Sequence, residues 1–350
     1  MKAKRAFIIA YTKQNLGDDL FIYMLLKKYP NTQFYINIEK KEYTNAFEEF
    51  ENLTIYQEKA RKLEKENAND YDMYIYIGGS IFMEGVGKNY TVTAGFLEFM
   101  EECKKNEIPF YYISSNFGPY YTEEYLELAK KVFRNCTSIC FRDTYSKNLF
   151  VNIPTVHYAP DLVFSYLPEK VEKKANSVGI SMIDLNIRSK LVSYKQKYYS
   201  MLEKNIKNYI NQGKEVTLFS FCRYEGDERA IEEFVNILSK DLSSKIKIVR
   251  YNGNLKYFLN EYNKMEYMIC ARFHAMILSV IMQQKCGIMS YSNKIDNVIN
   301  DLYLFDENIV HFEQIMEDTE MNLSKFKKVE HKKIEDIAKR ATRQLYIEEL

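Results

Sequence analysis

Short apolar runs recur along this chain, each followed by a polar-faced stretch that carries apolar residues at helical spacing. That alternation admits few folds, because it is the rhythm of parallel strands joined by crossover helices. In the first half it predicts strands over 6–11, 33–38, 72–77, 109–113, 138–141 and 155–158, with helices over 19–28, 96–106, 122–134 and 144–150. The segment 167–177, LPEKVEKKANS, has no apolar period and reads as a linker. Beyond it the rhythm resumes, with strands over 178–182, 215–219, 245–249, 267–270 and 286–291 and helices near 193–212, 227–239, 255–263 and 274–282. After Phe312 the chain is expected to be helical to its end, with a charged amphipathic helix over 328–349. The expected division is therefore 1–168, 177–320 and a terminal helix within 321–350.

Three hundred and fifty residues suffice for two such α/β domains, each with its own core. Hydrophobic residues at 46% and charged residues at 28% exclude long disorder and rod-like folds. A formal net charge of +1 makes nonspecific nucleic-acid binding a poor expectation, so any anion site must be built locally. No secretion signal or membrane span is evident. The six cysteines, 103, 136, 140, 222, 270 and 286, form no CxxC pair and have no histidine at metal spacing. The expectation is a cytoplasmic protein with reduced thiols and no metal.

Open α/β sheets bind ligands at the carboxyl ends of their strands, and five of the predicted ends finish in small and polar residues. The first is Asn15-Leu-Gly17-Asp18-Asp19, where Gly17 frees the backbone and an acid either caps the following helix or contacts a ligand. Next comes Gly78-Gly79-Ser80, which lets a ligand approach the main chain but matches neither the dinucleotide nor the P-loop fingerprint. The third is Ser115-Asn116-Phe117-Gly118-Pro119, a tight loop. The fourth, Arg142-Asp143, offers a helix cap and an arginine that either faces the cleft or forms a structural ion pair.

The fifth is the sharpest. Arg272-Phe-His274 opens an almost wholly apolar helix, so two cationic side chains stand where burial is greatest. Residues two apart on an extended strand end share a face, which lets both aim at one anion. A histidine in such a place is commonly a satisfied core residue, but the arginine beside it needs a partner and none is adjacent in sequence. Lys294, after the next strand, adds a cation, or else is an ordinary surface lysine.

Taken together, NLGDD (15–19), GGS (78–80), SNFGP (115–119), RDxxS (142–146), APD (159–161) and ARFHA (271–275) resemble the polysaccharide pyruvyl transferase family over roughly residues 5–300. The resemblance implies two facing Rossmann-like domains of the GT-B type, with the C-terminal helix packing back towards the N-terminal domain. It also implies transfer of the pyruvyl unit of phosphoenolpyruvate onto two sugar hydroxyls, giving a pyruvate ketal and phosphate. By the same matching, His274, Arg142 and Lys294 are the catalytic candidates. Arg272, Asn15, Gly17, Asp18, Gly79, Ser80, Asn116 and Asp161 are the substrate-binding ones. The implied acceptor is a sugar or lipid-linked oligosaccharide of a cell-surface polysaccharide, which admits peripheral contact with the inner membrane face; no cofactor is implied beyond the donor itself. Serine at position 80, asparagine at 116 and the absence of earlier glycines before Asn15 depart from the family pattern and bear on the acceptor. Two rival readings fit the same folds: a nucleotide-sugar glycosyltransferase, and a glycan-binding relative without turnover.

Overall fold

The computed structural model describes residues 4–59, 63, 66–85, 91–348 and 350. The chain packs as two compact units. One takes the residues to Thr12, then Asp18–Ser165 and Ile337–Leu350; the other takes Lys13–Gly17 and Tyr166–Asp336.

The first unit is built on β1 (Arg5–Ile9), β2 (Gln33–Asn37), β3 (Leu53–Tyr56), β4 (Met73–Ile77), β5 (Phe110–Ser115), β6 (Ser138–Phe141) and β7 (Val156–Tyr158). Its helices are α1 (Leu16–Lys28), α2 (Ala94–Lys105), α3 (Glu123–Phe133) and α4 (Thr144–Asn148). All neighbouring strands pair parallel, in the order β3-β2-β1-β4-β5-β6-β7. The order reverses between β1 and β4, which opens a crevice at their carboxyl ends. Under α2 and α3 lies an aromatic core in which Phe133 meets Phe82 and Phe150 at ring separations of 5.0 and 4.8 Å. Large tilted rings of this kind supply the apolar area that the tryptophan-free composition has to find elsewhere.

The second unit repeats the plan with β8 (Lys174–Ser181), β9 (Glu215–Ser220), β10 (Ile246–Arg250), β11 (Met265–Cys270), β12 (Lys285–Ser290) and β13 (Ile309–His311). Again every pair is parallel, in the order β10-β9-β8-β11-β12-β13, so the reversal falls between β8 and β11. The helices are α5 (Lys195–Asn211), α6 (Asp227–Ile237), α7 (Lys240–Ser243), α8 (Leu255–Asn263), α9 (Phe273–Ile281) and α10 (Asn293–Leu302), followed by α11 (His331–Thr342). The helix α9 is buried along nearly its whole length, as its apolar sequence requires. Buried Tyr262 ties α8 to α9 by donating its hydroxyl to the Ala275 carbonyl at 2.9 Å.

The βα rhythm is borne out, with differences at edges and ends. The segment 167–177 is not all linker, because β8 begins at Lys174; only the inner half of that strand is buried, and its exposed start lacks an apolar signal. Strands β3 and β13 were not expected. Both are short edge strands whose residues are only half-buried, so neither shows a clean alternation. The helix expected over 328–349 is shorter, α11 followed by a 3₁₀ turn at Arg343–Leu345, and residue 349 lies outside the described residues. Between Phe312 and α11 the chain makes two 3₁₀ turns and an isolated bridge from Lys327 to Cys286 rather than continuous helix. The C-terminal segment packs on the first unit, where Ile347 N–H donates to the Tyr29 hydroxyl at 3.0 Å and Gln344 Nε2 donates to the Pro160 carbonyl. All six cysteines are free and buried. Among the described residues no helix is long and apolar enough to cross a membrane, and no cluster of three His, Cys, Asp or Glu residues is arranged to hold a metal.

Candidate functional site

Each unit gathers its sequence-predicted residues at the carboxyl ends of its own strands. In the first unit Gly79, Ser80, Asn116, Arg142 and Asp161 meet. Arg142 follows β6 and is only 3% exposed. Its Nη1 donates to Asp161 Oδ2 at 2.9 Å and its Nη2 to Asn116 Oδ1 at 2.6 Å. Ser80 Oγ donates to the same Asn116 oxygen at 3.1 Å. Of the two fates expected for Arg142, the ion pair is therefore present, and Asp161, wholly buried, is its counter-charge. Asp143 caps α4 as expected, accepting the Ser146 N–H at 2.7 Å. Asp18 and Asp19 do not cap α1, because that helix already begins at Leu16; both sit in its first turn, where they favour the helix dipole. Asp18 Oδ1 lies 3.7 Å from the point where a Cβ on Gly78 would stand, beside the β1–β4 reversal.

Gly79 is glycine for a steric reason. A Cβ there would lie 2.4 Å from both Nη atoms of Arg142, which two partners already hold in place. Substituting Gly79 by alanine is expected to destabilise the first unit by about 1–3 kcal/mol, the range for overpacking a filled interior. Chemical denaturation checks this; an unshifted midpoint would mean that the guanidinium moves aside freely.

In the second unit Asn15, Gly17, Arg272, His274 and Lys294 assemble around residues the sequence reading did not select. Ser181, the last residue of β8, accepts the backbone N–H groups of Ala271 and Arg272 at 2.8 and 3.2 Å, which fixes the turn from β11 into α9 at the strand-order reversal. The extended-face argument for Arg272 and His274 does not hold. Arg272 is the extended N-cap residue, while His274 is already in the first turn of α9, so a helical rather than a strand period relates them. A Cβ on Gly17 would fall 1.7 Å from His274 Nδ1, so only glycine lets that imidazole occupy its position.

Arg272 finds partners 45 and 47 residues away in sequence. Its Nε donates to Asp227 Oδ2 at 3.0 Å, its Nη2 to Asp227 Oδ1 and its Nη1 to Glu225 Oε2. Asp227 also accepts the N–H groups of Phe221 and Cys222 at 3.1 and 3.0 Å. Complete burial pushes its carboxyl up to about 6, against the pull of Arg272, which leaves it the anion at neutral pH. Glu225 is opposed by burial too, but Arg272 and then Arg188 and Lys294 prevail and hold it down at about 2. Asn15 Nδ2 donates to its Oε1 at 3.1 Å, and Arg188 Nη2 lies 3.5 Å from its Oε2.

Arg188 completes the cluster. Its guanidinium carbon stands 4.6 Å from the centroid of the Tyr291 ring, and its Nε has no hydrogen-bond acceptor among the described residues. Lys294 Nζ lies 5.8 Å from the same ring and 5.9 Å from that of Phe273. Burial works to raise the Tyr291 phenol, yet Lys294, Arg188 and Arg272 together bring it below its ordinary value. The charges count plainly: Arg188, Arg272 and Lys294 stand against Glu225 and Asp227, and two carboxylates already engage Arg272. The positive charge left for an incoming anion therefore resides on Arg188 and Lys294. A guanidinium with unused donors beside a lysine suits a phosphate or carboxylate.

A family model described as polysaccharide pyruvyl transferase matches residues 15–293. No curated protein matches the chain by sequence. Among solved structures, the UDP-GlcNAc 2-epimerase of Methanocaldococcus jannaschii is similar with a TM-score of 0.56 at 10% identity, covering 98% of this chain and 93% of that one. HepE of Anabaena, solved with UDP and glucose, is similar with a TM-score of 0.54 at 10% identity, covering 98% of this chain and 94% of that one. These likenesses show the fold, two Rossmann-like domains of the GT-B type.

Proposed function

The chain belongs to the polysaccharide pyruvyl transferase family, and on that premise we propose that it moves the pyruvyl group of phosphoenolpyruvate onto two hydroxyls of one sugar in a cell-surface polysaccharide or its precursor. The observation that carries this reading is the second unit's cluster, in which Arg188 and Lys294 keep cationic capacity around the Tyr291 ring and Lys294 stands 5.9 Å from the ring of Phe273, the residue before the partly exposed His274. Phosphoenolpyruvate bears a carboxylate and a phosphate, two separate anionic groups that need more than one cation.

In the proposed reaction a proton is added to the methylene carbon, which makes C2 electrophilic. One sugar hydroxyl oxygen bonds to C2, the C2–O bond to phosphate breaks, and the second hydroxyl oxygen closes the ketal. Of the two hydroxyl protons released, one replaces the proton given to carbon and the other leaves with phosphate. His274 is assigned the proton transfer, since an imidazole exchanges protons near neutral pH. Arg142, expected among the catalytic residues, is engaged by Asp161 and Asn116, and is therefore assigned with them and with Asp18, Gly79 and Ser80 to the acceptor side.

The charge count yields its own prediction. Substituting Arg188 by alanine is expected to raise the KM for phosphoenolpyruvate about tenfold or more, a loss of roughly 1.5–3 kcal/mol for one charge-assisted contact, with little change in thermal stability. An unchanged KM would remove Arg188 from the donor site. Thermal-shift titration tests the reading as a whole. Phosphoenolpyruvate should stabilise the protein; selective stabilisation by a uridine or guanosine diphosphate sugar would favour glycosyl transfer instead.

A further inference from the structure

The first unit carries a second concave site, away from Gly79, Asn116 and Arg142. Its floor is one face of the sheet edge. Tyr111 pairs with Ser138 and Cys140 with His157, so these four side chains fall on the same side, while Ile139 and Phe141 turn to the core under α2 and α3. Its wall is the C-terminal segment, where Arg340, Arg343 and Tyr346 border a cavity of about 440 Å³. That volume lies in the range of small-molecule sites. The wall is fixed in place by Gln344 Nε2 on the Pro160 carbonyl and by Tyr29, whose hydroxyl donates to the Leu345 carbonyl and accepts from Ile347 N–H.

We propose that this groove docks a carboxylate-bearing glycan. Arg340 and Arg343 are three residues apart across the end of α11, a spacing that brings side chains together on one helix face. Neither forms an ion pair or side-chain hydrogen bond with any described residue, so both forks are open to an anion. His157 adds an imidazole N–H donor on the same lining, and among the described residues no aspartate or glutamate lines the groove. Tyrosine rings with hydroxyl tips suit the mixed apolar and hydroxylated faces of a sugar. A lone inorganic anion would leave most of the volume unfilled. Cys140 does not make this a reactive centre, because burial pushes its thiol up to about 12. The proposal goes beyond pyruvyl transfer and does not depend on it, although a ketal product would itself supply the carboxylate.

Isothermal titration of the full chain with trigalacturonate, maltotriose, AMP and inorganic phosphate tests it without any donor substrate. Trigalacturonate should bind and maltotriose should not. The double variant Arg340→Ala/Arg343→Ala should weaken trigalacturonate binding about tenfold or more, since two charged contacts are lost, while Arg340→Lys/Arg343→Lys should recover part of it. Both arginines are exposed, so the fold should survive. No binding of trigalacturonate, binding that the alanine variant leaves unchanged, or equal affinity for maltotriose would overturn the proposal. Displacement of trigalacturonate from the groove by equimolar AMP or phosphate would overturn it as well. Phosphate release from phosphoenolpyruvate is a separate readout, so failure of pyruvyl transfer and failure of the groove are distinguishable.

Discussion

The His274→Ala variant is expected to lose pyruvyl transfer by roughly 10²–10⁴-fold, the contribution of a well-placed acid or base. The side chain is partly exposed at the start of α9, so its removal leaves the apolar body of that helix packed. Unfolding should therefore shift little while turnover collapses. The geometry also explains why this histidine can be positioned at all: glycine at position 17 leaves the space that the imidazole fills. Steady-state phosphate release with saturating donor and acceptor measures the effect. A variant that retains the wild-type rate would remove His274 from the proton transfer and leave the cationic cluster without a catalyst.

The Asp227→Asn variant should show the largest loss of stability. Asp227 is wholly buried and receives two bonds from Arg272 and two from backbone N–H groups, so its carboxylate is the main counter-charge of a buried arginine. An asparagine keeps the shape but removes the charge. Breaking a buried pair by deleting one partner costs about 3–5 kcal/mol. Here the lower part of that range is expected, because Glu225 still holds the other side of the Arg272 guanidinium. Urea denaturation should reveal the loss in the transition of the second unit, and donor binding should weaken with it as Arg272 loosens. A cost below about 1 kcal/mol, ordinary for a surface substitution, would mean that the pair contributes nothing to holding the site.

Much of the fold was legible because a parallel sheet buries its strands on both faces and so leaves short apolar runs in the sequence. The run at Ser138–Phe141 marks its strand to the residue. The pattern fails where burial is partial, at the edge strands Leu53–Tyr56 and Ile309–His311 and at the exposed start of Lys174–Ser181. Within the site, Arg272 and His274 stood out because cations at the head of an apolar helix are costly and demand an explanation. Glu225 and Asp227 did not. They lie in the acidic stretch YEGDE at the start of α6, where acids are expected from the helix dipole alone. Arg188, in the polar loop after β8, looks like a solvated side chain until its ring partner Tyr291 is brought to it from beyond β12. Pairings between residues 45 or more apart are set by which strand ends adjoin at the sheet reversal, and no local pattern encodes that.

The most direct test of pyruvyl transfer follows both products at once. The full chain is incubated with phosphoenolpyruvate and a panel of glycosides bearing free hydroxyl pairs, and phosphate release is measured alongside acceptor mass. The account predicts stoichiometric phosphate and an acceptor heavier by one pyruvate less one water, both lost in His274→Ala. Sugar transferred from a nucleotide donor to the same acceptors, with phosphoenolpyruvate left intact, would contradict it.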